Sequence, residues 1–310
     1  WALSELHKKN LLYEGHKVIA WWAQGGTALS NAEVSEGYKT VEDPSVYVRL
    51  PLVDEPSTHL IAWTTTPWTL PSNCYAAVNA KYEYAYLLDR ETETQLIVAA
   101  AEIEAMRKRL NRELVLVGTV PGKDLIGKKY IPPFDWFHGT KEFKDVDYWR
   151  VIAADFVTVG GQDLAKRRTG TGIVHVAPAF GQDDFGTLQR ENQDRRKAGR
   201  PELPLVCPVN PNGTFDPEQA KTEGVAGLFV KDADKVLIRD LEERDLLLHR
   251  ENCKHTYPFC PRSDKDPLIY IARPAWYIRT TQEIQRAIDN NAQIGWLPET
   301  IGQGRFGDFL

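Results

Sequence analysis

Two stretches of this chain gather side chains that could hold a small polar ligand. The first is Trp63-Thr64-Thr65-Thr66-Pro67-Trp68-Thr69-Leu70-Pro71-Ser72-Asn73. Its four threonine hydroxyls and its asparagine amide donate and accept hydrogen bonds without carrying charge. That chemistry suits an uncharged polar group such as a ribose or an ester. The competing structural reading is a threonine-rich β edge, since threonine favours strands. The second stretch runs from Gly170-Thr171-Gly172-Ile173-Val174-His175 through Pro178, Phe180 and Gly181 to Asp183-Asp184-Phe185. Its glycines allow a tight turn and close approach of backbone to a ligand. His175 can shape a pocket, donate a hydrogen bond or act as a base. A carboxylate at a pocket edge can take an ammonium group through a charge-assisted hydrogen bond. The structural alternative is that Asp183 and Asp184 only complement a helix dipole.

The elements that must position these residues are mostly strands. The apolar run Leu60-Ile61-Ala62 reads as a strand feeding the first stretch, and Pro67 and Pro71 force the chain to turn after it. Val18 to Trp22, Val46 to Leu50, Leu60 to Thr65, Tyr82 to Asp89, Gln95 to Ala99, Glu113 to Val120, Val151 to Val159, Gly172 to Ala177 and Leu268 to Ala272 carry the Val, Ile and Tyr enrichment of strands. Helical spacing marks residues 1 to 14 (stopped by Gly15), Ala100 to about Arg112, Asp183 to about Gln193, Asp232 to Leu248 and Thr281 to Asn290. Residues 194 to 201 read as a solvated basic loop. Many short strands with few helices predict a mixed, mainly β fold built on a closed or nearly closed β-barrel with peripheral helices. Its expected organisation is a connecting segment over 1–50, the barrel over 51–250 and a second connecting segment over 251–310.

The composition narrows the class. Of 310 residues, 42% are hydrophobic and 26% charged, enough for a sizeable core and against disorder. A net charge of −5 excludes a wholly basic nucleic-acid binder but leaves room for a local basic groove. No apolar run approaches the roughly 20 residues of a membrane span. Four cysteines in a chain this long point to a reducing, cytoplasmic setting rather than a disulfide framework. The chain opens on Trp1 and closes on Asp308-Phe309-Leu310, and is expected to be a piece of a longer protein.

Taken together, the Thr-Thr-Thr-Pro-Trp stretch and the later Gly-Thr-Gly-Ile-Val-His and Gly-Gln-Asp-Asp stretches resemble the editing insertion of isoleucyl-tRNA synthetases. Valyl and leucyl relatives carry Thr-Thr-Arg-Pro, and Thr66 here stands in place of that arginine. The similarity extends to Ala28-Leu29-Ser30-Asn31, Tyr257-Pro258-Phe259-Cys260, Pro274-Ala275-Trp276-Tyr277 and Gly304-Arg305-Phe306-Gly307. No His-x-Gly-His and no Lys-Met-Ser-Lys-Ser motif is present, so the resemblance implies that the ATP-using synthetic site lies outside this chain.

The resemblance implies hydrolysis of Val-tRNA(Ile) at the 3′-terminal adenosine, because an extra methylene is a weak basis for rejecting valine at the synthetic site. It implies Asp184 for the substrate ammonium. Thr64, Thr65 and Thr66 would line the amino-acid and ester end, with Thr66 nearest the chemistry. Asn73 would contact the ligand or brace the loop, His175 would close the side-chain pocket, and Phe180 and Trp63 would serve as walls. The expected partners are the tRNA(Ile) 3′ end and the rest of a synthetase chain, with no membrane, and the fragment is expected to be monomeric. Lys166-Arg167-Arg168 is the first choice for the phosphate path and Arg195-Arg196-Lys197 the second. No cofactor is expected. No metal is expected either, because Cys260-Pro261-Arg262-Ser263 lacks the second cysteine of a zinc knuckle. A silent tRNA-end-binding module and an unrelated ligand-binding barrel are the rival readings.

Overall fold

A computed structural model describes residues 1–159, 170–263 and 265–310. Its elements begin with helix α1 (Ala2–Lys8), strands β1 (Leu12–Trp22) and β2 (Thr27–Ala28), and helix α2 (Asn31–Glu36). Strands β3 (Tyr38–Pro51), β4 (Thr58–Thr64), β5 (Tyr75–Val78), β6 (Glu83–Asp89) and β7 (Thr94–Ala99) follow, then helix α3 (Ile103–Leu110). Next come strands β8 (Leu114–Pro121), β9 (Arg150–Ala153) and β10 (Val174–Val176), and helices α4 (Gln182–Lys197) and α5 (Val230–Glu243). Strands β11 (Leu247–Pro258) and β12 (Ile269–Ile278) and helices α6 (Ile284–Asn291) and α7 (Thr300–Gln303) complete the order. Val18–Ala272 forms one compact unit, and Trp1–Lys17 with Arg273–Leu310 forms another.

The larger unit is organised around β4. On one edge β4 pairs antiparallel with β3, from Val46 opposite Thr64 to Pro51 opposite His59. Its other edge is divided. Thr58, His59 and Leu60 pair in parallel with Gln95, Leu96 and Ile97 of β7, whereas Trp63 pairs with Val174 of β10. From β7 the ladder continues through β6 to β8, and from β10 through β5 to β9, while β3 carries β11 on its far side. The sheet therefore forks at β4. Gly172 occupies the crotch, where the φ of +75° suits glycine and an added Cβ would lie 2.4 Å from the Ala99 Cβ. The close approach expected for this glycine is thus to the protein's own strand β7.

Both faces of β4 are covered, as its run of five buried residues requires. Leu60 and Ala62 join the main core with Val46, Val48, Tyr75 and Leu237, whereas Ile61 joins a second cluster with Tyr47, Leu87 and Met106. This alternation is the period-2 pattern of a strand between two apolar layers.

The expected mixed fold is present, but "mainly β" and a closed barrel require correction. Helices and 3-10 turns occupy about as much of the described chain as strands do. The nine-stranded sheet is curled and not fully closed: among the described residues, isolated bridges, Lys129 to Arg150 and Leu52 to Tyr130, are what span the gap between β9 and the end of β3. Several boundaries also differ. The chain leaves α1 through Asn10 at φ 56°, and Gly15 lies inside β1. Asp245 at φ 54° follows the end of α5, and Leu247–Leu248 already belong to β11. Residues 194–197 are the last turn of α4 rather than a loop. In the smaller unit Tyr13 packs on Tyr277 and Arg279 lies 4.0 Å over the Tyr13 ring.

Candidate functional site

The end of β4 and the fork beside it enclose a cavity of about 280 Å³, lined by Trp63, Thr64, Thr65, Thr66, Thr69, Val174, His175, Ala177, Phe180, Gly181 and Asp184. Residues from the two stretches, whose nearest lining members Thr69 and Val174 are 105 positions apart, therefore meet around one opening.

The threonines are ordered by the turn that follows β4. Pro67 sits at the first position of the buried 3-10 turn Pro67–Ser72. The Thr66 N–H donates to the Thr64 hydroxyl at 3.1 Å, and the Thr64 and Thr66 hydroxyls are themselves 3.1 Å apart. The Thr69 hydroxyl donates to the Thr66 carbonyl at 2.8 Å. Thr65 also lines the cavity, and among the described residues no protein group takes its hydroxyl.

His175 is fixed from behind. Asn73 is 3% exposed, and its amide nitrogen lies 3.1 Å from the Tyr75 carbonyl and 2.8 Å from His175 Nδ1. A carbonyl can only accept, so this atom is the NH2 group and Nδ1 of the ring accepts its second proton. The Tyr130 hydroxyl donates to the amide oxygen at 2.7 Å, which seals the assignment. The neutral ring then carries its proton on Nε2, 3.0 Å from the Thr69 hydroxyl, whose own proton is spent on Thr66. Burial pulls the His175 pKa down to about 4, in keeping with a neutral imidazole. Both ring nitrogens of His175 are thus committed within the protein, and the ring forms one side of the cavity. Asn73 braces that wall from outside the cavity lining.

The acidic side of the cavity comes from the start of α4. Gly181 is its N-cap, with no side-chain cap bond. Asp184 folds back so that Oδ2 accepts the Ala177 N–H at 2.8 Å. A Cβ on Gly181 would stand 2.7 Å from the Asp184 carboxyl carbon, so a side chain there would push the carboxylate away. Among the described residues Oδ1 has no hydrogen-bond partner. Burial pushes the Asp184 pKa up to about 7, opposed by the Ala177 N–H and reinforced by Asp183. Asp183 itself is exposed at the helix surface. Only one of the two acids thus enters the site, and it does more than complement the helix dipole.

The aromatic walls divide. Trp63 and Phe180 line the cavity, whereas Trp68 is buried beneath it, edge-on to Phe180 with ring centroids 4.8 Å apart. The Lys166-Arg167-Arg168 tract lies outside the described residues. Arg195 is buried and donates to the Pro201 carbonyl at 2.7 Å, Arg196 pairs with Glu202 and Lys197 with Asp194, so this second tract is largely committed within the protein. His255 bonds to Asp43 at 3.0 Å, and among the described residues no three His, Cys, Asp or Glu side chains gather to hold a metal ion. Among them, too, no helix is long and apolar enough to cross a membrane. Thr69, Val174, Ala177 and Gly181 are lining residues missing from the expected set. Thr69 could have been found from its place in the threonine stretch, whereas Ala177 and Val174 carry no chemical signal.

The family model of class I tRNA synthetases (I, L, M and V) matches residues 1–310. The isoleucine--tRNA ligase of Protochlamydia amoebophila is 40% identical over 310 residues, which are all of this chain and 27% of that protein. That of Bdellovibrio bacteriovorus is 38% identical over the same span and share, and the cytoplasmic enzyme of Mus musculus 39% identical, with 23% of its length covered. The chain thus spans about a quarter of the relatives it matches. Among solved structures, the P. falciparum cytosolic leucyl-tRNA synthetase editing domain aligns over 66% of this chain and 98% of its own, at 8% identity and a TM-score of 0.47.

Proposed function

This chain belongs to the class I tRNA synthetases of the isoleucyl, leucyl, methionyl and valyl group, and from that premise we propose that its cavity is the proofreading site of an isoleucyl enzyme, hydrolysing Val-tRNA(Ile) at the 3′-terminal adenosine. The observation that carries this reading is the meeting of the Thr64–Thr66 hydroxyls with the single inward carboxylate, Asp184, around one opening.

The substrate is an ester with a positive α-ammonium at one end and a ribose at the other. Asp184 takes the ammonium through its free Oδ1, which restores the charge that burial disfavours. The threonine hydroxyls take the ester and ribose oxygens, and Thr66 lies nearest the reacting carbon. Water attacks the ester carbonyl, the tetrahedral oxyanion forms, and the C–O bond to the ribose breaks with return of a proton to that oxygen. Neither His175, whose nitrogens are occupied, nor Asp184, paired with the ammonium, is available as the base. An oriented water held by hydroxyls, backbone groups and the adenosine hydroxyl supplies the nucleophile, and the gain comes from positioning. His175 and Phe180 bound the side-chain pocket, which admits valine and rejects isoleucine. Synthesis of aminoacyl-tRNA and contact with the remaining synthetase chain belong to the longer protein. The deciding experiment is deacylation of Val-tRNA(Ile) by this chain and by Asp184→Ala. Hydrolysis by the first and its loss in the second support the reading; an inert wild-type chain that still binds the tRNA end overturns it in favour of a silent binding module.

A further inference from the structure

The Pro67–Ser72 turn is buried throughout, and its prolines, Pro67 and Pro71, have no N–H to give. Within it the Thr69 and Asn73 N–H groups find the carbonyls of Thr66 and Leu70. The Trp68 N–H is taken by a side chain from far along the sequence, Asp234 Oδ1 of α5, at 2.8 Å. Asp234 is 4% exposed and lies outside the cavity lining. A buried carboxyl is costly, and here it is matched to a backbone donor that would otherwise be orphaned. The first turn of α5 is itself pinned. Lys231 Nζ reaches Asp43 Oδ2 at 2.6 Å and lies 4.3 Å over the Tyr257 ring, and His255 meets the same carboxylate oxygen at 3.0 Å. Asp43 and His255 belong to the long β3–β11 ladder.

We propose that Asp234 is a positioning residue for the deacylation site, holding the threonine turn against α5 through the Trp68 backbone. The inference rests on the reading of the cavity given above. Trp68 stands between Thr66 and Thr69, and its ring supports Phe180, so a shift at this one amide moves both the hydroxyl shelf and an aromatic wall. The role needs only an acceptor, which an amide oxygen also offers.

The test compares Asp234→Ala and Asp234→Asn with the unaltered chain, using Val-tRNA(Ile) deacylation and hydrogen exchange at the Trp68 amide. Asp234→Ala is expected to lower kcat on the order of tenfold to a hundredfold with KM little changed, and to lose protection at Trp68. Asp234→Asn is expected to retain both rate and protection, which separates positioning from general damage to the fold. The inference is overturned if Asp234→Ala deacylates like the wild type, or if Asp234→Asn is as impaired as Asp234→Ala. An inert wild-type chain would bring down the deacylation reading instead. The exchange data then judge the tether alone: it stands if only Asp234→Ala loses Trp68 protection, and falls if protection is unchanged.

Discussion

Asp184 and Asp234 are the same residue with much the same backbone bond, and the roles proposed for them differ. Each sits near the start of a helix, each accepts one backbone N–H at 2.8 Å, and burial lifts each to about 7. They differ in how open their surroundings are: Asp184 is half-buried, and Asp234 is 4% exposed. Asp184 opens into a cavity beside Thr64–Thr66, whereas Asp234 is closed in between α5 and the Pro67–Ser72 turn, with Lys231 near enough to favour its charged form. A raised carboxyl alone therefore does not distinguish the acid proposed to bind a ligand from the one proposed to hold the turn. Access does.

The sharpest way to break this contrast is to remove each acid. Asp184→Ala is expected to reduce Val-tRNA(Ile) deacylation about a hundredfold or more, because a buried cation left without its partner costs about 3–5 kcal/mol. The Asp234→Ala loss described above should be smaller, and only that loss should be rescued by asparagine. Gly181→Ala comes next. Its methyl would displace the Asp184 carboxylate, and a fall in kcat/KM on the order of tenfold in a chain that still melts cooperatively would show that placement of the acid, rather than its presence, sets the rate.

Titration sharpens the contrast further. After subtraction of uncatalysed hydrolysis, kcat/KM should rise as pH climbs through about 7, when Asp184 ionises. Asp234→Asn should keep that rise and Asp184→Asn should abolish it. For stability the sign is common to both residues. A folded-state value raised above the ordinary 3.8 gives a contribution present below that value and lost as pH rises through about 7. Thermal melts should therefore show Asp234→Asn more stable than wild type at pH 8, on the order of 1 kcal/mol or more, and little different at pH 4. The smallest effect is expected for Arg196→Ala. Its partner Glu202 is a surface group, and stability should change by less than about 0.5 kcal/mol in a denaturant titration.

The two acids were unequally legible in the sequence. Asp184 follows a dense Gly-His-Pro-Gly stretch and is visible through its neighbours. Asp234 lies in an amphipathic helix pattern that any solvated face would show, and its partner is a backbone group, which leaves no mark on a sequence. Asn73 was visible as an amide, but its bracing role depends on Tyr130, 57 positions away. Strands such as β4, β6 and β7 were readable because Val, Ile, Leu and Tyr crowd their buried faces. β11 was not: Arg250, Glu251, Lys254 and His255 give it a polar look, and the leucines at its start prolong the helix pattern of α5. The short α2 was missed although Ser30 and Glu33 form a reciprocal capping box. The final turn of α4 looked like a solvated loop because its arginines and lysine hide the burial of Arg195 beneath Pro201.

The divided edge of β4 has a consequence for how this chain tolerates change. Leu60 is the last residue of β4 to pair with β7, and Trp63 is the one that meets β10, so the exchange of neighbours takes place across Ile61 and Ala62. The width of the opening is thereby fixed by counting along the backbone. Inserting or deleting one residue at that step would turn Trp63 and Thr64, the last residues of β4, to the opposite faces. Length variation should accumulate instead in the surface connections, and the two-residue step should behave as a ruler that mutation can spoil but not adjust.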